Sequence, residues 1–92
     1  MAIQRLAITV RGRVQGVGFR FFTSGCARKN GLAGWVKNCP DGSVAIEVQG
    51  EETTIGTFKA AISDGPVLAR VNDVQITELP VKADEKKFEV LF

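Results

Sequence analysis

The sequence predicts an α+β fold in which two helices pack on one face of an antiparallel sheet. Apolar residues that alternate with polar ones mark half-buried strands, and two other stretches have the composition of helices. Glycine and proline residues separate these stretches and mark turns. The order is strand, helix, strand, strand, helix, strand, with a short strand at the end. This order predicts a two-layer sandwich of helices on a sheet.

The first third of the chain contains one strand, a loop and one helix. Apolar side chains occupy every second position from Leu6 to Val10, which is the period of a strand. The stretch Gly12–Arg20 has three glycines within seven residues and is predicted to be a loop. Residues from Phe21 to about Asn30 are compatible with a helix, and Gly31 is a stop signal for it.

The same signals mark the remaining elements. They are a short strand at Gly34–Asn38, a turn at Cys39–Gly42, a return strand at Val44–Val48, a helix from Glu51 or Glu52 to about Ser63, a strand near Arg70–Leu79 and a last short strand at Phe88–Phe92. The second helix has acidic residues at its start and an apolar stripe, and the pair Gly65-Pro66 ends it.

This order of elements is the split βαβ pattern of ferredoxin-like folds, and 92 residues suit one domain, 1–92. Strands that flank a crossover helix run parallel, so the first two strands should end at the same edge of the sheet. That edge then holds the glycine loop, Arg20 at the start of the first helix and Asn38 at the end of the second strand.

The composition excludes several kinds of site. The sequence contains no histidine, which is the commonest general base and metal ligand. Two cysteines, Cys26 and Cys39, do not make a disulfide framework, and their redox state and role stay open. No apolar run approaches the roughly 18–20 residues that span a bilayer, and no secretory signal is visible. We therefore expect a cytoplasmic protein with no metal, no cofactor and no membrane partner.

Basic charge is concentrated in the first part of the chain. Residues 1–40 include seven basic side chains and no acidic one, whereas residues 41–92 include ten acidic and five basic side chains. Such a segment attracts anions, although a solvated basic face is the alternative. RNA recognition on a sheet surface needs exposed aromatic residues, and the first strand has none. We therefore expect no nucleic-acid partner.

The glycine loop and the helix after it have the pattern of an anion site. Main-chain N–H groups in such a loop can point toward one anion at a helix N-terminus. The loop lacks the Lys-Ser or Lys-Thr pair of a Walker motif and the third glycine of the dinucleotide fingerprint. Arg20 opposes the helix dipole at a cost of about 0.3–1 kcal/mol, and its guanidinium can bind two phosphate oxygens. A flexible connection and a surface arginine are the alternatives.

Asn38 has two interpretations. Asparagine is common before turns such as Cys39–Gly42. Near Arg20, its amide could instead orient an attacking water. Residues 1–40 contain no carboxylate, but an acyl phosphate does not demand a side-chain base, because phosphoryl transfer depends mostly on positioning and charge stabilisation. Cys39 has no adjacent base that would activate it as a nucleophile.

Two stretches resemble the signatures of the acylphosphatase family. Gly12-Arg-Val-Gln-Gly-Val-Gly-Phe-Arg20 is similar to the first signature and Gly34-Trp-Val-Lys-Asn38 to the second, and the similarity covers nearly the whole chain. The resemblance implies a ferredoxin-like fold and metal-free hydrolysis of the carboxyl-phosphate bond of small acyl phosphates, with inorganic phosphate as product. One departure is Ala45, where relatives often carry glutamate, and it lies outside the implied site.

The resemblance also implies roles for individual residues. Asn38 becomes the residue that orients the water, and Arg20 becomes the phosphate-binding side chain. The phosphate-binding loop then consists of Gln15, Gly16, Val17, Gly18, Phe19 and Arg20, which contribute main-chain amides. We expect a monomer whose partner is an acyl phosphate.

Two alternatives stay open. A related domain begins the carbamoyltransferases of hydrogenase maturation, so this chain could be a non-catalytic domain that binds phosphate or carbamoyl phosphate. Those relatives carry proline after the loop arginine and continue into much longer chains, whereas this sequence has Phe21 there and ends at Phe92. A free-standing enzyme is therefore expected, and a single-stranded RNA binder is the least favoured alternative.

Overall fold

A computed structural model describes residues 2–92 of the chain and contains the predicted elements in the predicted order. The elements are β1 (Ile3–Arg13), α1 (Phe19–Lys29), β2 (Ala33–Asn38), β3 (Val44–Glu51), α2 (Glu52–Asp64), β4 (Arg70–Leu79) and β5 (Phe88–Val90). Within these residues, no helix is long and apolar enough to cross a membrane.

The five strands form one sheet in the order β4-β1-β3-β2-β5. β3 is antiparallel to both β1 and β2, and β4 is antiparallel to β1. β5 pairs in parallel with β2, so the prediction of an antiparallel sheet was wrong at this strand and the sheet is mixed. The reason is that the chain reverses after β4 and crosses to the opposite edge, where it runs in the direction of β2.

Both helices pack against one face of the sheet. The alternation predicted for β1 is confirmed, because Leu6, Ile8 and Val10 are all buried in the core. They pair with buried residues of β3, as Ile8 does with Ile46. The helix α2 contributes the buried stripe of Ile55, Phe58 and Ile62.

The other face of the sheet is partly covered by the connection between β4 and β5. Arg5 on this face has no exposed surface, and its Nη2 lies 2.8 Å from Glu47 Oε1. Gln49 holds the connection through a hydrogen bond from its Nε2 to the Lys82 carbonyl oxygen and another from the Lys82 N–H to its Oε1, both 2.8 Å. This buried cluster attaches the chain that leads into β5.

Helix α1 begins two residues earlier than predicted, at Phe19 instead of Phe21. Gly18 precedes it in the left-handed conformation, with φ 78°, which a residue with a Cβ rarely adopts. Phe19 is buried in the core, so its packing fixes the first turn of the helix against the sheet. As a result, Arg20 lies within the first turn of α1.

Candidate functional site

The site lies at the edge of the sheet where β1 and β2 both end. Since both strands are antiparallel to β3, they run in the same direction, as predicted. A cavity of about 140 Å³ opens at this edge and is lined by Val14, Gly16, Gly18, Phe19, Arg20, Phe21 and Asn38. The structure therefore brings Arg20 and Asn38 to one cavity. A larger cavity of about 400 Å³ lies beside Trp35 and residues 84–87 and contains neither of them.

The loop between β1 and α1 presents a run of main-chain donors. From Gln15 to Phe21, no main-chain N–H donates to an acceptor within residues 2–92. The first main-chain hydrogen bond of the helix runs from the Phe22 N–H to the Gly18 carbonyl oxygen, at 3.0 Å. Gly16 and Gly18 have φ of 73° and 78°, which shape the loop and favour glycine. Such a run at a helix N-terminus attracts an anion.

Two side chains of the predicted phosphate-binding loop do not line the cavity. The amide of Gln15 donates from Nε2 to the carbonyl oxygens of Cys39 and Ser43, at 2.8 and 2.9 Å. Val17 is partly buried and packs against the core. The side chain of Gln15 fixes the loop to the turn between β2 and β3, and that of Val17 fixes it to the core. Only the main-chain groups of these two residues are therefore available to an anion.

The Arg20 side chain is held by the segment that follows β5. Its Nη1 donates to the Leu91 carbonyl oxygen at 3.0 Å, and its Cζ lies 4.6 Å from the centroid of the Phe92 ring. A second arginine of α1, Arg28, donates from Nε and Nη2 to the Phe88 carbonyl oxygen at 3.3 and 3.0 Å. Leu91 and Phe92 were not predicted at the site, because no local pattern links positions so far apart in the chain.

Asn38 is the last residue of β2, and its side chain does not stabilise the turn. The turn closes through main-chain bonds from the Cys39 N–H to the Ser43 carbonyl oxygen and from the Gly42 N–H to the Cys39 carbonyl oxygen. Asn38 Oδ1 is buried and accepts no hydrogen bond from residues 2–92. A buried amide oxygen without a partner costs about 1–3 kcal/mol, which indicates a role other than turn formation.

Asp41 stabilises the turn that follows Asn38. Its Oδ1 accepts hydrogen bonds from the Ser43 hydroxyl at 2.6 Å and the Ser43 N–H at 3.0 Å. Its Oδ2 accepts a bond of 3.1 Å from Arg11 Nη1 at the end of β1. The Ser43 hydroxyl and N–H, with Arg11 beside them, lower the pKa of Asp41 from 3.8 to about 2. This contact ties the turn to the strand that leads into the glycine loop.

The cavity offers charge and positioning, and its lining residues carry no carboxylate, thiol or amine. Arg20 and the helix N-terminus supply positive charge, and Asn38 supplies a side-chain amide. Within the described part of the chain, no group of three or more Cys, Asp or Glu side chains is arranged to hold a metal ion. Cys26 and Cys39 are free thiols, and burial raises the pKa of Cys26.

The sequence is similar to proteins named acylphosphatase along nearly its whole length. The profile of the acylphosphatase family matches residues 6–90. An acylphosphatase of Archaeoglobus fulgidus is 47% identical over 87 residues, which cover 95% of this chain and 97% of the relative. One of Oceanobacillus iheyensis is 43% identical over 91 residues, which cover 98% of this chain and all of the relative.

Solved structures of this fold agree with the sequence similarity. The crystal structure of acylphosphatase from Bacillus subtilis matches with a TM-score of 0.93 at 39% identity, over 97% of this chain and 99% of that one. Full-length HypF in its phosphate- and nucleotide-bound form matches with a TM-score of 0.87 at 35% identity, over 99% of this chain and 12% of HypF. The family profile, the full-length relatives and the fold all indicate the same family. The chain belongs to the acylphosphatase family.

Proposed function

We propose that this chain hydrolyses the carboxyl-phosphate bond of small acyl phosphates to a carboxylate and inorganic phosphate. The observation that carries this function is that Arg20, Asn38 and a loop with unpaired N–H groups meet at one cavity. Membership of the acylphosphatase family supports it.

The loop and Arg20 bind the phosphoryl group. The N–H groups of the loop donate to its oxygens, and the dipole of α1 favours the negative charge. Arg20 uses one of its donors for Leu91, and the rest of its planar fork faces phosphoryl oxygens. These contacts strengthen as charge builds on the phosphoryl oxygens in the transition state, which is the condition for catalysis.

Asn38 positions the water that attacks phosphorus. Its side-chain amide forms a hydrogen bond with the water, which then lies in line with the bond that breaks. The water oxygen bonds to phosphorus while the bond from phosphorus to the carboxyl oxygen breaks, and that electron pair leaves with the carboxylate. One proton stays on the incoming oxygen and the other passes to a phosphoryl oxygen, so no side-chain base is needed.

The proposed reaction is independent of metal ions, because Arg20 and the loop supply the charge that a metal would otherwise provide. The direct test is to incubate the pure protein with acetyl or benzoyl phosphate in excess chelator and to follow the release of inorganic phosphate. We expect undiminished hydrolysis. Loss of activity in chelator that magnesium restores would contradict the metal-independent mechanism.

A second candidate function is phosphate binding without turnover. The similarity to one-eighth of HypF, whose structure is described as phosphate- and nucleotide-bound, favours it as an alternative. The same assay separates the two functions. A protein that binds inorganic phosphate but turns over neither acyl phosphate is a binding module.

We propose a cytoplasmic monomer, formed by residues 1–92 as one domain, that does not bind nucleic acid. The open face of the sheet supports the last point, because the one ring that the described strands place there, Trp35 of β2, lies between Glu47 of β3 and Glu89 of β5, whose carboxylates repel nucleic acid.

A further inference from the structure

Two arginines of α1 hold the last segment of the chain at two points. Arg20, in the first turn of the helix, donates to the Leu91 carbonyl oxygen at 3.0 Å. Arg28, in the last turn, donates from Nε and Nη2 to the Phe88 carbonyl oxygen at 3.3 and 3.0 Å. The two arginines lie about 12 Å apart along the helix, and the two carbonyl groups about 10 Å apart along the extended chain. These similar lengths allow one helix to hold both ends of the segment.

The strand β5 has few other attachments. It is three residues long and lies at the edge of the sheet, where it pairs only with β2. The Phe88 ring packs in the core, 6.3 Å from that of Phe58. The Gly34 N–H of β2 donates to the carbonyl oxygen of Lys87, the residue before Phe88, so the Phe88 carbonyl group lies on the outer side of the strand. An edge strand leaves such groups unpaired, and here Arg28 supplies two donors for one of them.

A basic residue at this end of α1 has a simpler explanation, which is that it offsets the helix dipole. Lys29 is also exposed in the last turn and offsets the dipole equally well. Arg28 differs from it because two of its nitrogens donate to the same carbonyl oxygen, which uses the planar fork of a guanidinium. The dipole therefore does not explain the contact of Arg28 with β5.

We propose that Arg28 is a positioning residue for the reaction: it fixes β5, and β5 places the Leu91 carbonyl oxygen that holds Arg20. Arg28 does not line the cavity that contains Arg20, so its effect on the reaction passes through the strand. This inference rests on the proposed function, and it assigns a role in that function to a residue at the opposite end of α1.

Kinetics of three single variants give the first test. Arg28→Ala should lower kcat/KM for acetyl phosphate by about 2–30-fold, the range for residues that act through others. Arg28→Lys keeps the charge but loses the paired donors, so its loss should lie between those of the wild type and Arg28→Ala. Lys29→Ala is the matched control, because it removes a charge from the same turn, and its kinetics should be those of the wild type. No loss in folded Arg28→Ala, or an equal loss in Lys29→Ala, would overturn the proposal.

A double variant separates positioning from a general effect on the fold. In an Arg20→Ala background, the side chain that Arg28 is proposed to position is gone. Arg28→Ala should then change the remaining kcat/KM by less than about twofold, since two residues that act through one contact are not additive. The same fold-loss in both backgrounds would show that Arg28 supports the fold alone, and would overturn the proposal.

Nuclear magnetic resonance of the arginine side chains tests the inference without turnover. We expect Arg28→Ala to shift the guanidinium resonances of Arg20 and to raise the mobility of that group, and Lys29→Ala to do neither. If the wild type hydrolyses no acyl phosphate but Arg28→Ala mobilises Arg20, the positioning stands and the proposed hydrolysis fails. An unchanged Arg20 guanidinium in folded Arg28→Ala would overturn the positioning even in an active enzyme.

Discussion

Arg20 donates a hydrogen bond of 3.0 Å to the carbonyl oxygen of Leu91, although the two residues are 71 positions apart. The Leu91 N–H in turn donates to the Val36 carbonyl oxygen at 2.8 Å, which extends the pairing of β5 with β2. β2 also ends in Asn38. The strand β2 thus carries Asn38, the proposed water-orienting residue, and through β5 it positions Arg20, the proposed phosphate-binding residue.

This relationship predicts that the Phe92 ring supports catalysis through Arg20. A cation–π contact at an exposed site contributes about 0.5–1 kcal/mol, so Phe92→Ala should lower kcat/KM by about 2–5-fold for benzoyl and acetyl phosphate alike. Phe92→Tyr keeps the ring and should behave as the wild type. A loss restricted to benzoyl phosphate would instead place Phe92 against the acyl group.

The fork of the Arg20 guanidinium should matter more than its charge. Arg20→Lys keeps the charge but loses the paired donors, so kcat/KM should fall by a factor on the order of 100 or more. Arg13→Lys is the matched control, since Arg13 is an exposed arginine at the end of β1. Initial rates on folded samples check this, and wild-type kinetics for Arg20→Lys would make Arg20 a surface residue without a catalytic role.

The lowered pKa of Asp41 predicts an acid-dependent part of the stability. The folded state favours the carboxylate, with a pKa of about 2 against an ordinary 3.8. Its contribution is therefore complete above about pH 4 and is lost as the pH falls toward 2. We expect the melting temperature of Asp41→Asn to fall less steeply than that of the wild type between pH 4 and 2. Asp73→Asn removes the same charge from β4 and is the control. If its melting temperature also falls less steeply between pH 4 and 2, by the same amount, the Asp41 contacts have no specific role.

The sequence predicted the elements well because each strand has its own local pattern. The alternation of Leu6, Ile8 and Val10 marks the core face of β1, and the structure confirms it. Because neighbouring residues of a strand point to opposite faces, Arg5 lies on the other face. Nothing local indicated that Arg5 is buried, because the connection that contributes to the burial comes from residues 80–87. The parallel pairing of β5 with β2 was also not predicted, because it depends on the path of this same connection across the sheet.

The site was predictable in part. Topology alone placed the glycine loop, Arg20 and Asn38 at one edge of the sheet, and the structure brings them to one cavity. The start of α1 was misplaced because Gly18 and the packing of Phe19 extend the helix backward. The anchoring of Gln15 on the turn and the contacts of Arg20 with Leu91 depend on tertiary structure, which no spacing along the chain reveals.

The proposed orientation of the attacking water by Asn38 is tested most directly by one measurement on Asn38→Ala. That measurement determines kcat for acetyl phosphate and the affinity for inorganic phosphate on the same folded sample, the latter from the rise in melting temperature. Removal of one well-placed polar group at a reacting centre costs about 100–1000-fold in rate. Asn30→Ala is the control: Asn30 is also half-buried, but its side chain donates to the Cys26 carbonyl oxygen at the end of α1, so its removal should leave kcat unchanged. We predict that Asn38→Ala binds phosphate as the wild type does and loses kcat by about 100–1000-fold. An unchanged kcat in the folded variant would contradict the account.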